Sequence, residues 1–432
     1  MIPPAQAPSY RSVLRTPFAR RTFLLSLVGR LSYGTVFLSL TLAVTSSTRS
    51  YAQAGVVMAA FGLTNSLLAP LRAGLIDRYG PPRLLLPMGV AYSLLLAALT
   101  AATWQRQTAA WLLVLLSAGA GACAPPLGPV MRTIWSELLP EAQMLQRAYS
   151  LDTVCEELLY VTGPLIVGLL VVVAAPPLGI AVSAALVLAG TLIFAHTPPV
   201  RAARKVPATR PPAVAGGRAR HVSFLQSLPR GPLCVTAGLG LVLGALSLFA
   251  VVFAKRHGQL ASVAWIEAAL AVGSAVGGLT YGSLTWRAPA RTRLSVLAVA
   301  LAAPLALAGT SPGLPVLVVT VAVAGLLVAP TLTTAYLLAD EMATDHNRTR
   351  TGTWVNTAFN VGNSTGAATA GLLAGVLPLP VCFALTATPL LLAALVPRTS
   401  RPTGERAATV PETEAKTDSH ETDALPPRGS VS

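Results

Sequence analysis

Charge is scarce in this chain: only 11% of its 432 residues are Asp, Glu, Lys or Arg, against about 25% in soluble domains. That shortage rules out a water-facing surface of the chain's own size. A soluble enzyme, a basic nucleic-acid-binding domain and a disordered polymer are excluded with it. Cysteine is scarce as well. Cys123, Cys155, Cys234 and Cys382 lie scattered in apolar stretches without a CxxC pair, so neither a zinc site nor a disulfide framework is expected. The histidines His196, His221, His257, His346 and His420 are spread along the chain, which argues against a membrane enzyme with a clustered site. No Walker loop, HExxH or GxSxG elbow occurs. No cofactor or metal is expected, and ATP hydrolysis in this chain is excluded.

What is present is apolar residue, 53% of the chain, with a mean hydropathy of +0.64. It is gathered into stretches near 22–44, 53–75, 83–103, 110–132, 150–173 and 177–195, and again near 232–254, 262–284, 292–310, 314–338, 352–376 and 378–396. Most are long enough for about 30 Å of hydrocarbon. The first is too long for the h-region of a cleaved signal peptide, despite Arg11, Arg15, Arg20 and Arg21 before it. The expected fold class is therefore an all-α polytopic membrane protein with 12 transmembrane helices in two six-helix bundles. Its parts are an N-terminal segment 1–21, a first bundle 22–196, a linker 197–231 rich in Pro, Ala and Arg, a second bundle 232–396, and a polar tail 397–432 of disordered composition.

If the spans alternate sides, twenty Lys and Arg residues fall on the side of the N-terminus and linker. Only Arg49, Arg106, Lys255 and Arg256 fall on the other. The positive-inside rule then places both termini and the linker in the cytoplasm of a multi-pass protein of the cell (inner or plasma) membrane. The bias accounts for the net charge of +15 without a nucleic-acid partner. The two halves are faintly related: Gly163-Pro164-Leu-Ile-Val-Gly168 in the fifth span reappears as Gly366-Ala-Ala-Thr-Ala-Gly371 in the eleventh, the layout of two parallel repeats.

The turn after the second span reads Ala73-Gly-Leu-Ile-Asp77-Arg78-Tyr-Gly80-Pro-Pro-Arg83. It resembles the cytoplasmic signature of the major facilitator superfamily, with Ala73, Pro81 and Pro82 as departures. Gly80 permits the tight turn, Asp77 can meet the positive end of a neighbouring helix, and Arg78 and Arg83 hold the inner leaflet. The resemblance implies that this joint locks one conformation of a carrier, with Arg132 joining Asp77 in a gating network or anchoring the inner leaflet. The second-half copy, Gly282-Ser-Leu-Thr-Trp286-Arg287, has Trp where the acid belongs. Gly163, Pro164 and Gly168 resemble part of the fifth-helix motif of drug/proton antiporters, although Val167 replaces a second Gly. The fourth-helix Arg of those antiporters is absent between Leu113 and Gly121.

An ionisable side chain in mid-bilayer costs about 2.5–3.5 kcal/mol on insertion scales, which makes each one a functional candidate. Arg30, Glu156 and Glu157 sit at similar depth, so Arg30 is expected to pair with Glu156 or Glu157, for coupling or as a static helix clamp. Glu267 near the outer end of the eighth span meets protons or a cation, or is an interfacial residue beside Trp265. Asn356, Asn360 and Asn363 form a stripe that lines a cavity or joins helices. Asn65 is placed opposite that stripe, and Tyr33 is a candidate cavity aromatic. Gly163, Pro164, Gly168, Gly366 and Gly371 are expected at helix contacts, as are the pairs Gly240 and Gly244, Gly273 and Gly277, and Gly362 and Gly366.

These features favour a secondary transporter that exports a small organic molecule by alternating access, with a proton as the candidate coupling ion. An uptake permease or uniporter for a small metabolite is the alternative, and a non-transporting membrane sensor is the alternative of another class. A small-molecule substrate and the lipid bilayer are the expected partners. No protein partner is required, and the chain is expected to be a monomer.

Overall fold

The computed structural model describes residues 9–105, 108–203, 228–259 and 262–395. Among them all regular structure is helical and no strand occurs. A short helix α1 (Tyr10–Arg15) precedes α2 (Ala19–Thr48), α3 (Tyr51–Tyr79), α4 (Pro81–Trp104), α5 (Ala110–Cys123), α6 (Leu127–Leu138), α7 (Ala142–Val173) and α8 (Pro177–Ala195). After α9 (Pro198–Ala202) come α10 (Arg230–Arg256), α11 (Val263–Ser283), α12 (Ala290–Ala308), α13 (Leu314–Met342), α14 (Arg348–Leu373) and α15 (Leu379–Ala393). The expected tail 397–432 and most of the linker lie outside the described residues.

Ten segments, counting α5 and α6 as one, are long and apolar enough to cross a membrane. The last two expected spans fold as α14, which is polar in its first half, and α15, which has only 15 residues. Proline and glycine punctuate the chain where the physics requires. Pro81 and Pro177 start helices at positions whose N–H needs no partner. Gly80, at φ +88°, makes the corner between α3 and α4, a conformation a side chain would strain. The consecutive Pro125 and Pro126 break the fourth crossing into α5 and α6, because neither can donate to the carbonyl one turn back.

The packing repeats between the halves. In the first, α2 lies against α7 and α8, α3 against α5, and α4 against α8; in the second, α10 lies against α14 and α15, α11 against α13, and α12 against α15. Glycine sets the closest approaches. A methyl group built on Gly163 would strike the Gly34 backbone of α2. Methyls on Gly362 and Gly366 would strike the carbonyls of Ala237 and Leu241 on α10, and one on Gly277 the carbonyl of Leu326 on α13. Gly168 differs: nothing lies within 4 Å of its open side, and Gly371 has only a Leu248 methyl at 3.8 Å. The expected contact at Gly168 is therefore absent, because α7 is exposed there on both flanks, with Ile166 and Leu169 at the surface.

Several boundaries lie deeper into polar sequence than hydropathy suggests. Helix α7 starts at Ala142 rather than near 150, and the fourth crossing runs on to Leu138 rather than 132. The reason is that Gln146, Arg147, Asp152 and Arg132 are buried against protein rather than facing the headgroups.

Replacing Gly366 by Leu should lower the unfolding temperature of the purified protein in detergent, corresponding to about 1–3 kcal/mol of overpacking. Gly168→Ala, which fills open space, should leave it unchanged; equal melting of the two variants would contradict this packing.

Candidate functional site

The end of the bundle where α3, α6, α11 and α13 finish and α7 and α14 begin carries most of the arginines and is called the basic end below. Arg30 lies 11 residues beyond Ala19 in α2, about 16 Å along the helix. It meets two acids of α7: Arg30 Nη1 is 2.6 Å from Asp152 Oδ1 and Nη2 is 3.0 Å from Glu156 Oε2. Arg132 of α6 reaches the same two acids, with Nε 3.0 Å from Asp152 Oδ2 and its guanidinium hydrogen-bonded to Glu156. Two cations and two carboxylates thus close into a quartet of no net charge. Breaking such a buried set costs more than forming it gains.

The local sequence makes room for the quartet. Asp152 and Glu156 are one turn apart on one face of α7. The break at Pro125 and Pro126 starts α6 beside them, and Gly128 in its first turn stands next to the charges. A methyl there would lie 3.4 Å from Glu156 Oε1 and 3.7 Å from both Arg132 Nη1 and Arg30 Cζ. Tyr33 donates its hydroxyl proton to the Pro125 carbonyl. Arg30, Tyr33, Glu156, Leu159 and Tyr160 line a small cleft there. Arg30, Asp152 and Arg132 are shut in, while Glu156 keeps 19% of its side chain exposed. Across the boundary between halves, the ring of Tyr336 from α13 stacks on Arg132, 3.8 Å from Cζ to centroid.

This arrangement meets one of the two pairings expected for Arg30 and corrects the place expected for Arg132. Arg30 pairs with Asp152 and Glu156 and not with Glu157, which points to another face of α7. Arg132 joins the quartet rather than Asp77, because the fourth crossing extends six residues past it and carries it inward. Asp77 instead accepts from the backbone N–H groups of Thr349 (3.2 Å) and Arg350 (2.9 Å), at the positive N-terminal end of α14. Arg78 lies over Tyr79, and Arg83 is exposed beside Gly80.

The matching joint in the second half reverses the chemistry. Gln146 of α7 donates to the carbonyls of Tyr281 (3.2 Å) and Leu284 (3.1 Å), and Arg147 donates to that of Ser283 (3.0 Å). Trp286, where the first half has its acid, donates its indole N–H to the Tyr281 carbonyl at 3.2 Å. Arg293 donates to Gln146 Oε1 and to the Tyr281 hydroxyl, each at 2.8 Å. Donors therefore gather at the negative C-terminal end of α11. The hydroxyls of Thr133 and Thr349 (3.1 Å), Arg348 with Ser136 (3.1 Å), Ser150 with the Gly278 carbonyl, and Tyr10 with the Leu279 carbonyl (2.6 Å) complete the seam. No hydrogen bond or ion pair joins the far ends of the two halves among the described residues.

Arg72 of α3 carries a role that sequence reading passed over. It donates to the Gly121 carbonyl, which has no helical donor because residue 125 is proline, and to Asn65 O and Oδ1 at 2.7 and 2.9 Å. Asn65 is therefore occupied with Arg72 and does not face the Asn stripe. Ser66 meets α14 beside the stripe, its carbonyl, freed by Pro70, accepting from Thr357 at 3.5 Å. The Arg72 signal in the sequence was a cation two residues from Pro70 in a span that faces a double proline. Asn356 and Asn360 are half-buried and Asn363 is exposed, and none of their amides bonds to the described residues. Pro164 is exposed within α7. Glu267 is exposed on the first turns of α11 beside the exposed Trp265. Among the described residues no group of His, Cys, Asp and Glu is placed to hold a metal.

The profile of the Major Facilitator Superfamily matches residues 22–259 and 233–427. The multidrug efflux pump Tap of Mycobacterium tuberculosis, and its counterpart in Mycobacterium bovis, are 28% identical to this chain over 296 residues, which are 66% of this chain and 70% of the pump. Among solved structures, a bacterial homologue of the iron transporter ferroportin in its outward-facing state superposes with a TM-score of 0.72 at 12% identity, covering 88% of this chain and 98% of that one. The human organic anion transporter MFSD10 gives 0.68 at 17% identity, covering 90% and 100%. The transporter FucP in the outward conformation gives 0.66 at 14% identity, covering 89% and 99%. These likenesses show a shared fold.

Asp152→Asn should destabilise the protein by about 3–5 kcal/mol, since it leaves Arg30 and Arg132 sharing one acid. Glu156→Gln, at the opening of the quartet, should cost less. Unfolding of the purified variants reads both, and an Asp152→Asn variant as stable as wild type would remove the quartet from the account.

Proposed function

The chain belongs to the Major Facilitator Superfamily, whose members are transporters and not enzymes, and on that premise we propose that it exports a small organic molecule across the cell membrane in exchange for protons. It is a multi-pass membrane protein and a secondary transporter. In the proposed arrangement α14 and α15 are the eleventh and twelfth crossings. The basic end, with both termini and the linker, faces the cytoplasm, as the bias of Lys and Arg supports.

The single observation that carries this reading is the one-sided seam. Hydrogen bonds and helix-end contacts join the halves at the basic end, while beyond them α7 and α14 become exposed at Leu158, Tyr160, Val161 and Val361. With the basic end inward, this is the outward-facing state of a carrier whose halves rock about a central site. Asn356 and Asn360, with amides that bond to no described residue, line the water-filled side, since bare amides are costly in lipid. The quartet forms the floor of that cavity. Its neutrality leaves room for a substrate without fixed negative charge, and the efflux activity named for the related pump supports outward movement of an organic compound.

The mechanism follows from the contacts. To expose the site to the cytoplasm, Asp77 must leave the α14 terminus, Gln146 and Arg147 must leave the α11 terminus, and Tyr336 must slide off Arg132. Each is a polar contact exchanged for water, so the cost of opening is small enough for substrate binding to offset. The quartet itself lies within the first half, which keeps its charges paired in both states.

The test is accumulation of a panel of fluorescent compounds, ethidium among them, in energised cells at matched expression. Wild-type protein should lower accumulation several-fold, and a protonophore or a Gln substitution at Glu156 or Glu157 should abolish the difference. Raised accumulation, or no response to either perturbation, would instead show uptake or uniport.

A further inference from the structure

Helix α7 presents two polar faces. Asp152, Glu156 and Gly163 look toward α2, whereas Ser150, Val154 and Glu157 recur every three or four residues on the face turned about 120–180° away. That second face forms the seam with α11. Ser150 donates to the Gly278 carbonyl. A methyl on Gly278 would meet Val154 and Ser150, and one turn farther out Glu157 faces Ser274. The step of three or four residues outward on α7 matches four residues back along α11, as two antiparallel helices require. Glu157 is the last polar residue of this face, since Val161 beyond it is 42% exposed.

Both carboxyl oxygens of Glu157 are buried, and among the described residues neither has a hydrogen-bond partner within bonding geometry. Charged groups on every neighbouring helix are engaged elsewhere. Arg30 of α2 and Arg132 of α6 hold Asp152 and Glu156 on the other face of α7. From α13, Tyr336 lies on Arg132, and Asp340 is paired with Arg348 near the basic end. From α11, only the Ser274 hydroxyl faces Glu157; its oxygen already accepts from the Ala329 N–H at 3.1 Å, and Glu267 lies two turns farther out. A carboxylate shut in with one hydroxyl at most is costly by several kcal/mol, whereas the neutral acid is not.

We propose that Glu157 is a proton-binding site of the seam: the two halves close over it only when its carboxyl carries a proton, and opening of the basic end to water releases that proton. The step is a simple protonation. With α7 and α11 apart, a proton from water at the basic end adds to the carboxylate, the neutral acid is enclosed against Ser274 as the helices meet, and the proton returns to that water when they part. This rests on the reading of the chain as an alternating-access carrier and makes closure of its basic end depend on pH through a residue separate from the quartet.

The test places spin labels at Glu141→Cys and Arg287→Cys, across the seam, in the full chain with its four native cysteines replaced. The protein is reconstituted in phosphatidylethanolamine and phosphatidylglycerol vesicles, and label separations are measured from about pH 5 to about pH 9. Wild type should shift from short to long separations as pH rises, Glu157→Gln should hold the short separations throughout, and Glu267→Gln should shift as wild type does. A Glu157→Gln protein that shifts like wild type, or a wild type that does not shift, overturns the proposal. Thermal melting is a second readout: wild type should lose stability toward alkaline pH while Glu157→Gln or Glu157→Met stays flat, and parallel profiles would overturn it equally. Ethidium movement in the same vesicles under a pH gradient separates the two readings. Movement without a pH-dependent seam ends this inference and spares the carrier, while a Glu157-dependent seam without movement of any panel compound does the reverse.

Discussion

Two cations and two acids buried together must neutralise one another, and much of the first half is arranged to let them. Asp152 and Glu156 supply both acids from one turn of α7, Arg30 and Arg132 close on them from either side, and Gly128 leaves the space they occupy. The double proline between α5 and α6 brings the first turn of α6 to the charges. The carbonyl that break releases at Gly121 is in turn satisfied by Arg72. Removal of a backbone donor at one point is thus answered by a buried cation at another, and that cation is held by Asn65. The quartet meets the second half through the Tyr336 ring on Arg132, a contact that can separate without unpairing a charge.

The seam shows how one electrostatic rule can be met in two ways. On one side an acid, Asp77, sits at the N-terminal end of α14; on the other, Gln146, Arg147 and Trp286 sit at the C-terminal end of α11. Both arrangements complement a helix dipole, with the sign reversed. The replacement of an acid by Trp286 is therefore a change of partner rather than a loss of the joint. Contacts of this kind hold one state without binding it so tightly that the other is lost.

The fold class was legible because long apolar stretches leave few alternatives, and the signature around Asp77 and Gly80 pointed to the family that the profile match shows. Glycine pairs such as Gly362 and Gly366 marked close helix contacts, yet Gly168 looked the same in sequence and touches nothing, since spacing does not say which side of a helix has a neighbour. The acid pairing of Arg30 was half legible. Glu156 was found, but Asp152 fell at a span boundary that hydropathy drew too late, because it cannot distinguish a polar residue buried in a seam from one in the headgroups. Arg72 lay inside the second apolar stretch, where a cation is itself a signal, whereas Tyr336, whose role depends on the opposite half, and Gly128, whose role is the absence of a side chain, left none.

The central claim is that the basic end opens and closes as the carrier works, and a reversible bond across it tests that most directly. Thr133 of α6 and Thr349 of α14 have hydroxyls 3.1 Å apart, close enough for a Thr133→Cys, Thr349→Cys pair to be oxidised to a disulfide in a chain lacking its native cysteines. The account predicts that oxidation stops movement of a transported compound and that a reductant restores it. Transport continuing at the unlinked rate with the bond formed would contradict it.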